Sequence, residues 1–357
     1  MVIVGGGLAG LTTAWRLGMR AEITVIDARS RFGGQIFTEH DGQFIVERGA
    51  EGFVFRSEAL PRLASEVDLH EELIGQTVMQ SYGFDGRQLS VLRAGEAAAF
   101  LGFQVPAADL GKGIRTFRRG MGSLVQALQT RLAERVALRL GQSVSEVESR
   151  PNGVQVVLQG GAAITADAVV VATDARGASH VLQSTLPGAR SLFAAPCQSS
   201  VAVELAFVRS AIDHPLDGTG FVVAEDAQRE GLRACTFTNA KFVERSPGDH
   251  ALLRLFFRST DEGVDGPHAL DDTAWRDRAL AGLRRVIAVA AEPRAWWVSR
   301  WPRALPVFNE ARRAAVTELE SSLVGTRIRL AGSAFHGAGI DAAVRSGEYA
   351  AEQILEL

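Results

Sequence analysis

Residues 1–17, "MVIVGGGLAGLTTAWRL", decide the fold. Val2–Val4 is a short apolar run of the kind that forms a buried strand, and Leu8–Leu17 has helical spacing. Between them stands Gly5-x-Gly7-x-x-Gly10. The first glycine permits a tight turn, the second lets backbone approach a pyrophosphate, and the third lets the helix pack closely on the sheet. The helix then offers unpaired N–H groups, beginning at Leu8 and Ala9, and the positive end of its dipole to phosphate. Residues 22–27 read as a second strand ending in Asp27, at the spacing of an acid that bonds ribose hydroxyls. Strand, glycine turn, helix, strand and terminal acid together predict a dinucleotide site. They do not choose between a nicotinamide and a flavin dinucleotide.

The last residues repeat the theme. "RLAGSAFHGAGIDAAVRSGEYAAEQI", residues 329–354, reads as a short strand, a glycine-rich turn and an amphipathic helix beginning near Ile340. Between these ends the chain alternates. A helix is expected over 58–67 and a hairpin within "YGFDGRQLSVL". A helix at 122–133 precedes strands in "VALRL", "SVSEVES", "GVQVVLQGGAAIT" and "DAVVVATDA". A strand-rich block covers 199–258, a helix 272–289, and "WWVSRW" is strand-like. Strand-rich material between α/β pieces predicts an α/β protein. Its Rossmann-type domain is drawn from 1–77, 116–175 and 301–357. A β-sheet-rich substrate domain comes from 78–115 and 176–300, the segments being interleaved.

Composition narrows the function. The chain has 357 residues, 46% hydrophobic content and a formal net charge of −3, an ordinary globular balance with no electrostatic case for nucleic acid or an anionic membrane. The arginines are scattered and offset by acids. Cys197 and Cys235 make neither metal spacing nor a disulfide framework, so no metal is expected and a reduced cytoplasm is the simplest setting. No apolar run approaches the about 20 residues of a membrane span.

A second glycine pair bears on the cofactor. "DARSRFGGQIFT", residues 27–38, places Arg31, whose planar fork suits phosphate, before Gly33 and Gly34, which permit close backbone approach to a further part of a ligand. The stretch resembles the Glu-x-x-x-Arg-x-Gly-Gly element of the FAD-dependent amine oxidase superfamily, with Asp27 for the usual Glu and Ala28 beside it. "FIVERGAEGF" is similar to the protoporphyrinogen and coproporphyrinogen oxidases, with Ala50 in place of a proline. "GTGFVV", "RACTFTNAKF", "ALLRLFF", "SRWPRALPVFN" and "AGSAFHGAGI" continue that resemblance in order.

The resemblance implies non-covalent FAD lying between the first and last glycine turns. Gly332, Gly337 and Gly339 would keep the second turn slim, and the helix from Ile340 would aim its dipole at the flavin. It implies backbone contact to adenine at Val144 and an aromatic near the flavin at Trp301, although a core tryptophan would look the same. Lys241 invites comparison with a flavin-side lysine, but its sequence context is that of the porphyrinogen oxidases. His336 is expected on an exposed turn. No catalytic side chain is named.

The implied activity is dehydrogenation of a small-molecule substrate by hydride transfer to flavin, with O2 as acceptor. The family carries a long helical insertion that helps to wall the substrate cavity and contacts the membrane. Here only residues 93–116 join the flanking pieces, and Gln80 stands about where mitochondrial-type enzymes place a substrate-pairing Arg. The shorter join leaves three readings open: a compact porphyrinogen oxidase, an amine-oxidase-like or desaturase-like enzyme for another small molecule, and a low-turnover FAD protein acting through a partner. A homo-oligomer or partner over the substrate face would complete an open site.

Overall fold

The computed structural model describes residues 1–100, 111–186, 188–259, 266 and 268–357. Part of the short join expected at 93–116, namely 101–110, lies outside the described residues.

Two sheets organise the molecule. The first has five parallel strands in the order Val136–Arg139, Ile23–Ile26, Val2–Val4, Val169–Val171, Ile328–Leu330. Chain order runs outward from Val2–Val4 in both directions, so the topological switch point lies between that strand and Val169–Val171. A crevice opens there at the strands' carboxyl ends. Val2–Val4 and Val169–Val171 are buried throughout, as central parallel strands covered on both faces must be. The helices Leu8–Leu17 and Ile340–Leu355 pack closely together: a Cβ at Gly347 would lie 2.4 Å from the Ala9 carbonyl oxygen. Arg16 ties the pair to helix Ala59–Glu66 through Glu348 and Glu66.

The second sheet has seven strands in the order Ala295–Pro306, Cys197–Val208, His250–Ser259, Leu232–Phe237, Gly220–Val223, Ser81–Phe84, Leu89–Leu92. All neighbours are antiparallel except Gly220–Val223 with Ser81–Phe84. Period-two alternation divides its faces. Val201, Val203, Leu205 and Phe207 pack with Trp275 and Leu283 of helix Asp272–Arg284 in one core cluster. Ala202, Glu204 and Ala206 point the other way.

The elements differ from the sequence expectations in a few places. The helix expected over 272–289 ends at Arg284, and Ala288–Val289 pairs with Ile212–Asp213. The β-branched run Val286, Ile287, Val289 favours the strand. Helices Ala175–Leu182 and Glu310–Leu323 went unread, although Asp174 and Asn309 cap them by accepting from Gly177 N and Arg312 N. The first of these, with Gly188–Ala194, packs in the cluster around the parallel sheet, whereas the sequence division placed 176–300 with the substrate domain. The division at 300/301 falls inside strand Ala295–Pro306.

Candidate functional site

The crevice is a cavity of about 1020 Å³. Asp27, Ala28, Gln142 and Val144 line one part, the two glycine segments of the N-terminal region another, and Trp301, Gly332, Gly339 and Ile340 a third. Of the residues singled out from sequence, Gly5, Gly7, Leu8, Ala9, Asp27, Ala28, Arg31, Gly33, Gly34, Val144, Trp301, Gly332, Gly339 and Ile340 all border this one space. Gly10 does not. It is buried beneath the turn, where a Cβ would stand 2.0 Å from Gly5 O, so it sets how closely the helix approaches the strand.

Backbone forms the narrow part. Gly33 N donates to Gly6 O at 2.8 Å and pairs its segment alongside Gly7. Gly33 and Gly34 have φ of +101° and +58°, and a Cβ on Gly33 would meet Ile36 O at 2.6 Å. Gly7 differs: a Cβ there meets only Gly34 Cα, at 3.9 Å, so the missing side chain opens onto the cavity. The Asp27 carboxylate accepts from Gly6 N and Arg29 N, both at 2.8 Å, which fixes the acid beside the glycine turn. Arg31 donates to the carbonyls of Phe32, Gly34 and Ile36. Much of its fork therefore shapes the turn, leaving Nε–H and one terminal N–H. Burial and neighbouring Arg29 lower its pKa.

At the other end, Gly332 and Gly339 have φ of +129° and +99°, and Gly332 N donates to Ser346 Oγ. The Trp301 indole N–H donates to Arg48 O at 2.7 Å, which fixes the ring in the wall. Val144 is buried at a register shift in the hairpin with Gly153–Leu158. His336 is exposed and paired with Glu320, which raises its pKa despite partial burial.

Behind the cavity lies a set of buried charges that the sequence did not announce. Lys241 Nζ lies 2.6 Å from Glu51 Oε2, with both side chains at most one-tenth exposed. Arg254 Nε is 3.7 Å from Glu204 and its NH2 donates to Gly49 O. Glu47 accepts from Met121 N and Thr38 Oγ1. Burial raises Glu47 to about 7 and Glu204 to about 8. Burial would raise Glu51 too, but Lys241 and Arg254 hold it below the usual carboxylate value. Lys241 is thus spent on an ion pair and does not border the cavity.

The residues fit a dinucleotide. Gly7 leaves a cradle at the start of helix Leu8–Leu17, and buried Gln142 Oε1, in the wall near Asp27, is an acceptor without a partner. An exocyclic amine would satisfy it.

The model for flavin containing amine oxidoreductases matches residues 76–355. The chain belongs to this family. A model for an NAD(P)-binding Rossmann-like domain matches residues 3–67. As a flavin amine oxidoreductase the protein is an oxidase-type enzyme that uses a flavin. It is 22% identical to the coproporphyrinogen III oxidase of Bacillus subtilis (strain 168), across 99% of this chain and 97% of the relative. That alignment spans 464 positions against 357 residues here, so about a hundred positions of the relative have no counterpart in this chain. The coproporphyrinogen III oxidase of Propionibacterium freudenreichii is 30% identical over 68% of this chain and 45% of its own length. In fold, the chain is similar to a crystal structure of a candidate protoporphyrinogen oxidase of Exiguobacterium sp. 255-15, at a TM-score of 0.84, 22% identity, and coverage of 100% of this chain and 98% of the other.

The structure adds residues that sequence reading missed. Cys197 borders the cavity although it is far in sequence from the last glycine turn. Buried Arg312 donates to Cys197 Sγ at 3.0 Å and to Ala334 O at 3.1 Å, linking the two walls. Arg48, Gln142, Arg176 and Arg303 also line the space. None sits in a spacing motif. Among the described residues no helix is long and apolar enough to cross a membrane.

Proposed function

We propose that the protein is an FAD-dependent oxidase that dehydrogenates a porphyrinogen-type tetrapyrrole, with FAD held non-covalently and O2 as acceptor. The observation that carries this reading is one cavity joining both glycine turns, bordered by edge strand Ala295–Pro306 and Cys197 of the seven-stranded sheet, in a chain aligned end to end with coproporphyrinogen oxidases. Bound there, the flavin supplies a hydride acceptor that O2 regenerates. The chain's own groups bind and orient. The N–H groups after Gly7 take phosphate, Asp27 takes ribose hydroxyls, and Gln142 Oε1 takes an adenine amine. In this reading the parallel sheet holds the cofactor while the seven-stranded sheet presents substrate, and no side chain is required as nucleophile.

The test is direct. Purified protein should be yellow, release FAD on heating or acidification, and turn coproporphyrinogen into fluorescent porphyrin with consumption of O2. Protein that takes up no FAD on reconstitution would overturn the reading. A second reading, another flat or smaller substrate, is favoured by the hundred or so missing positions: a site with less cap buries less of a macrocycle. Turnover of porphyrinogen should then fall well below that of a full-length relative unless a partner closes the face. Anaerobic bleaching by a panel of amines and metabolites separates the two.

A further inference from the structure

One turn beside the seven-stranded sheet is closed by a single histidine nitrogen. Residues 214–219, "HPLDGT", lead into strand Gly220–Val223. Leu216 stands there at φ of +53°, a left-handed conformation that a bulky residue rarely adopts. Its side chain is nonetheless buried, in the cluster that holds Phe84, Phe237 and Trp275. Hydrogen bonds hold the turn from both sides. Arg209 donates to the carbonyls of Ile212, His214 and Pro215. Leu216 N donates to His214 Nδ1 at 2.9 Å. That nitrogen therefore presents its lone pair, and the ring's proton is on Nε2.

The turn is fastened to a neighbouring strand. Asp217 Oδ1 accepts from Tyr82 OH at 2.6 Å, and Gln80 Nε2 donates to the same hydroxyl at 2.7 Å. Thr219 N donates to Gln80 O at 2.7 Å, and the hydroxyls of Ser81 and Thr219 are 2.7 Å apart. Tyr82 packs edge-on against the His214 ring, and Phe237 packs on it at a tilt. The turn is thus a clip on residues 80–82, at the start of strand Ser81–Phe84, from which the chain runs into the short join at 93–116. The titratable and charged groups that face the ring are Asp217, Arg209 and Tyr82. Burial raises the Tyr82 pKa, and the hydrogen bond from Tyr82 lowers that of Asp217, so neither changes charge between about pH 5 and about pH 8.

We infer that His214 is the acid-sensitive latch of this clip: a proton on Nδ1 turns the acceptor into a donor, expels the Leu216 N–H and frees residues 216–219 from Gln80 and Tyr82. Leu216 then has no bond to support its left-handed backbone. Burial lowers the His214 pKa from 6.5, an effect that Asp217 opposes and Arg209 adds to. The opened turn therefore binds the proton more tightly than the closed one, and closure weakens as pH falls below 6.5. Acid acts the other way on the sheet around Glu204, whose burial favours its protonated form. The device stands whether or not the cavity takes a tetrapyrrole.

The test is hydrogen exchange of the full chain, read by mass spectrometry on overlapping peptides over 76–84 and 209–223 and corrected for the intrinsic rate at each pH. Three forms are compared from about pH 5 to about pH 8: parent, His214→Asn and His214→Phe. An Asn carbonyl accepts from the amide two residues on and does not titrate. Phe keeps a ring against Tyr82 and Phe237 but accepts nothing. On acidification the parent should lose about tenfold in protection at Leu216 and Thr219, the worth of one hydrogen bond. The Asn form should stay protected throughout, and the Phe form should stay open throughout, at the level of the acid parent. Peptides from strand Val169–Val171, away from the clip, should show no acid loss in any form. A pH-independent parent would overturn the latch, as would a Phe form as protected as the parent at alkaline pH, which would assign the turn to ring packing. So would an Asn form that opens with acid as the parent does, which would place the titration elsewhere. Loss at Leu216 without loss at Thr219 would overturn the clip and leave one broken bond.

Discussion

The glycine-turn end of the cavity and the sheet beside it are built by opposite means. At the first, backbone does the work. Gly7, Gly33 and Gly34 bring main chain to the cavity surface, and the Asp27 carboxylate is held by two backbone N–H groups. At the second, side chains from distant segments meet. Glu51 pairs with Lys241, Glu204 lies near Arg254, and Glu47 and Arg245 are wholly buried close by. A backbone site tolerates no added atoms but carries little buried charge. A side-chain site tolerates shape changes better, but each ionised group there depends on a partner. The two regions should therefore fail differently when altered.

The largest effect separates two glycines three residues apart. Gly10→Val would drive a side chain into Gly5 O, because even a Cβ would stand 2.0 Å away. No soluble folded protein is expected. A Cβ at Gly7 meets only Gly34 Cα, at 3.9 Å, and the cavity lies beyond it, so Gly7→Val should fold with a near-parental Tm and purify colourless. Flavin retained by Gly7→Val at parental occupancy would mean that the cradle is not a nucleotide site.

On the other side of the comparison, Lys241→Met leaves Glu51 charged, buried and unpaired. A cost of roughly 3–5 kcal/mol is expected in urea unfolding, as for other broken buried pairs. The double variant with Glu51→Gln should recover most of it, and flavin content per folded molecule should stay constant throughout. A single-variant cost below about 1 kcal/mol would place the pair in the class of solvent-screened surface ion pairs. Loss of flavin in proportion to stability would instead show that the two regions are not separable.

This contrast also explains what could be read from the sequence. That Gly5, Gly7, Gly33, Gly34 and Asp27 border one cavity was legible because they stand at fixed spacing along 34 residues, and the local chemistry of turns dictates them. The last glycine turn was legible for the same reason, and its position against the first helix depends on another small residue, Gly347. The buried charges were not legible. Glu47 and Glu51 share one segment while Glu204, Lys241 and Arg254 come from others, and only the β-pairing that places Glu204 opposite Arg254 brings that pair together. Arg303 was hidden differently: "SRWPRALP" looks like an ordinary strand, and its bulge, where the pairing with Cys197–Val208 shifts register, exists only relative to Ser199. Cys197 gave no motif at all until Arg312 joined it to Ala334. Helices 175–182 and 310–323 carry their sequence signal in the caps Asp174 and Asn309.

A smaller effect is expected at Asp27. Its carboxylate both holds the turn, through Gly6 N and Arg29 N, and faces the cavity. Asp27→Ala should weaken FAD by about 1.5–3 kcal/mol, roughly ten- to a hundredfold in Kd, measured by flavin fluorescence titration. Asp27→Asn keeps an acceptor and should lose less. If Asp27→Ala lowered Tm in the flavin-free protein while Kd stayed constant, the acid would be a turn-holder alone.

The smallest effect tests the buried charges through pH. Burial raises Glu204 from 4.5 to about 8, because Arg254 at 3.7 Å lies outside hydrogen-bond range and Glu51 and Glu47 are nearby. The folded protein therefore holds the Glu204 proton more tightly than the unfolded chain does. Between 4.5 and about 8 the native state binds more protons than the unfolded state, so the contribution of this group falls as pH rises and is level outside that window. Glu47, raised to about 7, adds a slope of the same sign over a narrower range. Glu204→Gln keeps the shape, removes the titration, and should flatten the decline. In urea unfolding from about pH 5 to about pH 9, the parent should lose about 1–2 kcal/mol more than the variant, a value discounted for attraction to Arg254 once Glu204 ionises. The variant should be the more stable form at the alkaline end. Parallel profiles would mean that Arg254 keeps Glu204 ionised throughout, making it a permanent ion pair like Glu51 with Lys241. An intact slope in Glu204→Gln that disappears in Glu47→Gln would move the titrating proton to the carboxyl that anchors Met121 N, at the start of helix Gly122–Leu132.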